Sequence, residues 1–302
     1  MKHLRSQAGM EERNGLPTFV MDYCFPSQGD ERSLIVLVLK EIRTKAIGAF
    51  MVPNKGCDEW LVKTIVQFMA SCGCGRSILK SDGEPAIVAL QEAIVRSRQS
   101  ETIVENSPKG DSQSNGAAEN AVRETEGMIR TWKVYVEERL GTRLDNRHVL
   151  LPWLVQHAGL IITRYKISHD GKTAYQKIKG KRPSSKVLLF GEKVIWMMAK
   201  DNSRRKNILE SAHHFGIFVG VVPRTGEFVV LTPEGAIPVW IVHRLSEDKR
   251  WDTDLGRPRE GDTLGPQGER GRWSCGRSDS REAGPIARNP AASGRAASPD
   301  QR

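Results

Sequence analysis

Little in this sequence would carry it into a membrane or lock it covalently. No unbroken run of apolar side chains exceeds six residues, as at 34–39, against the ~20 that cross a bilayer. No membrane partner is therefore expected. The opening Met1-Lys2-His3-Leu4-Arg5 is not followed by an apolar core, so no secretory leader is expected. The five cysteines are odd in number and scattered. They argue for reduced thiols inside a cell rather than a disulfide scaffold. Cys72-Gly73-Cys74 has one intervening residue and no nearby partner pair, which is poor zinc spacing. No phosphate-binding Gly-Lys-Ser/Thr loop, dinucleotide fingerprint or Gly-x-Ser-x-Gly elbow occurs.

What is present is an ordinary apolar content with an uneven charge. The 302 residues are 38% hydrophobic, with 28 glycines, enough to bury a core in about two domains. The formal charge is +10, and residues 172–206 alone hold eleven Lys/Arg against Glu192 and Asp201, a net +9. Such a block attracts polyanions, of which nucleic acid is the commonest. The alternative is a solvated linker.

Pattern along the chain predicts strands at 18–25, 33–40 and 44–52, spaced as an antiparallel meander. A helix follows with Asp58 as N-cap and Leu61, Ile65 and Phe68 on one face. Residues 77–82 read as a short strand, Pro85 opens a helix, and 101–105 are a further strand. A Gly/Ser/Asn-rich loop at 107–116 leads into a long helix, about 117–140. Its stripe of Ala118, Val122, Thr125, Ile129, Trp132, Val136 and Leu140 steps by four and three. Residues 151–165 are another helix, and His157 inside it reads as a satisfied core histidine. Strands grouped first and then alternating with helices indicate an α/β layer structure with a mixed sheet. From 187 to 245 the pattern is β-rich, read as a small all-β barrel. From 246 on, the composition is too poor in large apolar groups to repay ordering, so a disordered tail is expected. The expected divisions are thus a frayed 1–16, a core at 17–145, a helical basic connector at 146–186, the barrel at 187–245 and the tail at 246–302.

Three acids stand out by position. Asp22 lies mid-strand in an apolar run, Asp82 ends a strand, and Glu119 sits in the first turn of the long helix. A mid-strand carboxylate is costly unless paired or bound to a cation. Adjacent strands and a helix beside them can gather such a trio, whose hard oxygens suit Mg²⁺ or Mn²⁺. Two such ions clamp the attacking and leaving oxygens of a phosphodiester. Two of the acids also have a plain structural role open to them: Glu119 favours a helix start, and Asp82 suits a turn; a mid-strand Asp22 has no such cheap role. From Glu119, steps of four and three reach Arg123, Glu126, Arg130 and Lys133, a track for a phosphate backbone or a solvated face of ion pairs. Lys179-Gly180-Lys181-Arg182 and Arg204-Arg205-Lys206 are candidates for DNA contact or nuclear import. His213-His214 lack companion ligands and read as structural or DNA-facing.

Five stretches together resemble the catalytic core of a retroelement integrase of the copia-like retrotransposon kind. They are Phe19-Val20-Met21-Asp22; Leu79-Lys80-Ser81-Asp82-Gly83-Glu84-Pro85-Ala86; Ser112-Gln113-Ser114-Asn115-Gly116-Ala117-Ala118-Glu119; Gly171-Lys172-Thr173-Ala174-Tyr175-Gln176-Lys177 with Gly180-Lys181-Arg182-Pro183; and Phe190-Gly191-Glu192-Lys193-Val194. The resemblance implies a ribonuclease-H-like fold and an Asp-Asp-Glu triad of Asp22, Asp82 and Glu119 on two Mg²⁺ (or Mn²⁺) ions. It implies that Asn115 and Gly116 shape a loop over the site. It implies trimming of DNA 3′ ends and transfer of the freed ends into target DNA, by a homo-oligomer acting in the nucleus. DNA contacts are expected from Arg123, Arg130, Lys133, Lys179, Lys181 and Arg182. No zinc is expected, since only His3 stands where the family carries a His-His-Cys-Cys module. The readings kept beside it are a catalytically inactive DNA-binding remnant and a related nuclease that cuts without joining.

Overall fold

The computed structural model describes residues 15–26, 34–107, 116–183, 188–197 and 213–251. Asn115, the basic run at 204–206 and the expected tail beyond 251 lie outside them; the first residues of that expected tail are structured instead, with a helical turn at Glu247–Lys249 and Arg250 O accepting from Lys193 N at 2.7 Å. The N-terminal part is a five-stranded mixed sheet. Its strands are β1 (Thr18–Cys24), β2 (Ile35–Glu41), β3 (Ile47–Val52), β4 (Ser77–Ser81) and β5 (Thr102–Asn106), in the order β3-β2-β1-β4-β5. β1, β2 and β3 pair antiparallel as a meander, whereas β1–β4 and β4–β5 are parallel. Parallel neighbours need a crossover. α1 (Glu59–Ser71) supplies one between β3 and β4, and α2 (Pro85–Ser97) another between β4 and β5.

Each helix starts where its sequence allows. Asp58 Oδ1 accepts the Leu61 N–H at 3.1 Å and caps α1. Pro85, which has no N–H to lose, opens α2. These two helices cover one face of the sheet, over Phe19, Met21, Leu37, Leu39, Leu61 and Leu90. α3 (Gly116–Leu140) and α4 (Leu151–Tyr165) cover the other, over Val36, Val38, Ala49, Ala121 and Leu154. Burying each such Val, Leu, Phe or Met side chain fully contributes about 1.5–3 kcal/mol. No helix among the described residues is long and apolar enough to cross a membrane.

The strand expected from 44 begins at Ile47, because 41–46 form a closed hairpin turn with Lys45 at φ 70°. The outer edge of β3 is blunted by α4. Thr163 Oγ1 accepts the Ile47 N–H at 2.9 Å and donates to Ile47 O at 3.0 Å. Gly159 permits this approach, since a Cβ there would lie 3.0 Å from Ile47 O and 3.1 Å from Ala49 N. α5 (Ala174–Lys179) follows, unforeseen by periodicity. It rests on a capping box in which Thr173 Oγ1 accepts from Gln176 N at 3.1 Å and Gln176 Oε1 from Thr173 N at 3.0 Å.

The C-terminal part is a five-stranded antiparallel sheet: β6 (Lys193–Met197), β7 (His213–Val221), β8 (Phe228–Thr232), β9 (Gly235–Val239) and β10 (Val242–Arg244). The order is β10-β6-β7-β8-β9, and no pairing joins β9 to β10 among the described residues. Where a barrel was expected, the described strands thus form an open sheet. Pro238 is accommodated in β9 because that strand is an edge and needs no donor on its free side. One face buries Val194, Trp196, Phe218, Val230 and Val242. On the other, Ile217, Val219, Val229 and Leu231 share a cluster with α3 and α4. His157 lies in that shared core, and neither ring nitrogen has a hydrogen-bond partner. The satisfied histidine expected there is instead held by rings, with Trp132 at 4.9 Å and Phe190 at 5.0 Å. Burial, reinforced by Arg164, pushes it down to about 3 and keeps it neutral.

Candidate active site

Side chains alternate along β1. Phe19, Met21 and Tyr23 enter the core under α1 and α2, so Val20, Asp22 and Cys24 face α3. Ala118 of α3 packs with Val20. The Cys24 thiol donates to Glu126, and burial pushes it up to about 12. Asp22, between them, is set against the first turns of α3, where Glu119 stands. Ala118 anchors that first turn and so fixes where Glu119 starts out.

Asp82 comes from the neighbouring strand. In the parallel β1–β4 ladder, Val20 is opposite Lys80. The pairing ends there, and Asp22 and Asp82 each stand two residues beyond it on their own chain segments. β4 stops at Ser81, Gly83 turns the chain out at φ 78°, and Glu84 N donates to the exposed Asp82 at 3.1 Å. The carboxylate of Glu84 is held by Lys55 Nζ at 2.6 and 2.8 Å. Lys55 also lies over the rings of Tyr23 and Phe25, 5.4 and 5.0 Å from their centroids.

One electrostatic fact joins these groups. Asp22 is pushed up to about 6, first by burial and then by the charge of Asp82, with further contributions from Glu119 and Glu84. The Tyr23 N–H donates to Asp22 Oδ1 at 2.8 Å and pulls the other way. Four carboxyl groups thus share one field. They are not drawn tight: among the described residues, no three His, Cys, Asp or Glu side chains close up enough to hold a metal ion. Glu119 leans instead toward Arg123, at 3.7 Å. The donors are all carboxylate oxygens, a set suited to Mg²⁺ or Mn²⁺. A divalent cation would relieve the repulsion that raises Asp22.

No family model and no curated protein matches this sequence. Solved structures do, and they are retroviral integrases. The catalytic core domain of BIV integrase shares 16% identity at a TM-score of 0.38, over 53% of this chain and 92% of that one. A simian T-cell lymphotropic virus intasome, in complex with the PP2A regulatory subunit B56 gamma, shares 15% at 0.44, over 78% and 81%. The HTLV-2 integrase catalytic core domain, in complex with magnesium and in a trimeric form, shares 13% at 0.40, over 55% and 99%. At these scores the likenesses decide nothing about individual residues.

The other candidate residues are dispersed. Gly116 begins α3. Arg123 is exposed beside Glu119, Arg130 is exposed two turns further along the same face, and Lys133 pairs with Glu137. Lys179 closes α5 and lines a separate cavity of 620 Å³ between β3, α1 and α4, away from the acids. Lys181 and Arg182 are exposed beyond the Gly180 cap. His214 stacks on Trp196 at 4.8 Å. The residues that sequence reasoning missed at the acid site are Glu84 and Lys55. The Asp82-x-Glu84 spacing at the close of a strand was the available signal for Glu84. Lys55 had none, since its role arises only when the 53–58 loop folds over Tyr23.

Proposed function

We propose that this chain is a metal-dependent polynucleotidyl transferase of the copia-like integrase kind, acting on DNA. Asp22, Asp82 and Glu119 would hold the divalent ions, which supply charge for the attacking and leaving oxygens of a phosphodiester. The chain's own part is to keep Asp22 among like charges beside the end of a parallel strand pair, where a bound cation would relieve their repulsion. The observation that carries this reading is the placement of Asp22 on β1, Asp82 directly after the neighbouring parallel β4 and Glu119 in the first turn of α3, which packs on β1; the upward push on Asp22 from burial and from Asp82 agrees with it. In it, residues 17–145 are the catalytic core, and 146–186 with the β-rich 187–245 carry DNA along Arg123, Arg130, Lys133, Lys179, Lys181 and Arg182. Asn115 and Gly116 border the site. The active form is a homo-oligomer working in the nucleus on element ends and target DNA.

A second reading, a DNA-binding protein without chemistry, draws on the spread of the carboxylates. A strand-transfer assay with Mg²⁺ or Mn²⁺ separates the two. Joining of labelled ends is expected, with Asp82→Asn lowering it by about a thousandfold or more and leaving DNA affinity unchanged. Cleavage without joining would identify a nuclease. Salt-sensitive binding with no product under either metal would leave the second reading standing.

A further inference from the structure

We propose that a cavity between β2, α3 and the segment after α4 is a binding site for a phosphate group. It measures 250 Å³, and its polar wall is Lys40, Lys45, Lys166, Ser168 and His169, with Glu124 as the acid among them. Nothing in the acid-site reading uses these residues, and the proposal does not need that site to be catalytic.

The cavity begins with a lysine placed inside the fold. Lys40 lies opposite Val20 in the β1–β2 ladder and so on the face that α3 covers. Its side chain is only 12% exposed. An ammonium taken out of water needs a counter-charge. Glu124 Oε2 is 3.9 Å away, beyond hydrogen-bond reach. The other oxygen, Oε1, is 2.7 Å from Lys166 Nζ, an ion pair without hydrogen-bond alignment. One carboxylate therefore answers three ammonium groups, and two positive charges are left over. Burial lowers Lys40 from its usual range. Glu124 opposes this, and Lys45 and Lys166 reinforce it. An anion in the cavity would relieve that strain.

Both walls are closed turns, so the backbone that carries Lys45 and Ser168 is held in advance. Lys45 takes a left-handed φ of 70° in a hairpin turn built on the buried Glu41. The Glu41 carboxylate accepts from Arg43 N, Thr44 N and Thr44 Oγ1, and Lys45 N donates to Glu41 O at 2.9 Å. Opposite, Ser168 N donates to Lys172 O and Gly171 N to Ser168 O, both at 2.9 Å. An anion with several acceptor oxygens and up to two negative charges fits three ammoniums and a hydroxyl. That is a phosphate group, carried either by a nucleic-acid backbone or by a free phosphorylated compound.

The test uses the full chain without divalent metal. Thermal melts in inorganic phosphate are compared with chloride at equal ionic strength. Phosphate is expected to raise the midpoint of the unaltered protein. Lys166→Ala, at an exposed position, and Lys45→Gly, which suits the left-handed backbone, should each weaken the apparent phosphate affinity about tenfold or more. Their midpoints in chloride should stay close to that of the unaltered protein. Binding of a DNA duplex across a salt series identifies the source. If backbone phosphate is the ligand, each substitution lowers the salt slope by about one. If the slope is unchanged while phosphate affinity falls, the ligand is a free phosphorylated compound. The proposal is overturned if phosphate leaves the unaltered protein's midpoint where chloride puts it, or raises both variants as much as the parent.

Discussion

Glu192, at the start of β6, and Asp22, on β1, are both acids placed in apolar sheet surroundings, and their neighbours are of opposite sign. Glu192 is wholly buried and meets Arg244, whose Nη2 and Nε donate to one carboxylate oxygen at 2.7 and 3.1 Å. Glu41, also wholly buried, accepts from two backbone N–H groups and a hydroxyl. Asp22 accepts a backbone N–H but stands near three further acids and is pushed up to about 6. An acid that holds a fold together is met by donors, although at Glu192 they all reach Oε2 and Oε1 has no hydrogen-bond partner. An acid surrounded by its own kind is poised for a cation that comes from outside. The difference also tells where each can be altered: removing a donor from the first kind breaks the fold, whereas removing the charge from the second relaxes it.

The largest expected effect follows from the C-terminal sheet. Arg244→Met would leave the Glu192 carboxylate buried without its guanidinium, at a cost of about 3 kcal/mol. Urea denaturation should show a lower midpoint with an unchanged slope. A loss too small to resolve would mean that Glu192 does not depend on Arg244, and the contrast with Asp22 would lose its reference.

Next in size, and opposite in sign, is Asp22→Asn. The folded carboxyl titrates near 6, above the unfolded value of about 3.9. The fold therefore prefers the protonated acid. The stability this gives is fully present below about pH 3.9 and is lost as the pH rises through 6. At pH 7 the ionised group costs about 1–2 kcal/mol, allowing for solvent screening at a partly exposed site. Asparagine should gain that amount at pH 7 in the absence of metal, and little or nothing at pH 3.5. Unfolding free energies measured across this range check it. Equal stability of the two proteins at pH 7 would show that Asp22 is not held against its neighbours.

The layered core was legible because its elements follow regular periods. An apolar run marked β1, stepped apolar residues marked α3, and Pro85 marked the start of α2. Where local chemistry rather than period decides, the sequence was read less well. The Glu41-centred turn that delays β3 depends on one buried carboxylate meeting three donors. α5 is too short for a stripe and stands on the Thr173–Gln176 cap. Pro238 within β9 is tolerable only because of which strands pair, which no local pattern states. Asp22 could be picked out because a mid-strand carboxylate is unusual, and Asp82 and Glu119 because they close a strand and open a helix within the stretches that carry the resemblance. Glu84, Lys55 and the Lys40 cavity arise from long-range register and loop closure, and single residues in the chain carry no mark of them.

The smallest effect tests the like-charge half of the comparison. Lys55 neutralises Glu84 at 2.6 Å, and Glu84 is one of the charges that raise Asp22. Lys55→Met frees that charge and should move the Asp22 titration upward by roughly half a pH unit, while Glu84→Gln should move it downward by a similar amount. Carbon-detected NMR of the Asp22 carboxyl, followed from pH 4 to 8 without divalent metal, reads both. Opposite movements mean that neighbouring charge helps set Asp22, and a cation then has repulsion to relieve. If neither substitution moves it, Lys55 and Glu84 lie outside the field. Burial, Asp82 and Glu119 would then account for Asp22, and the acid site would be a trio rather than a quartet.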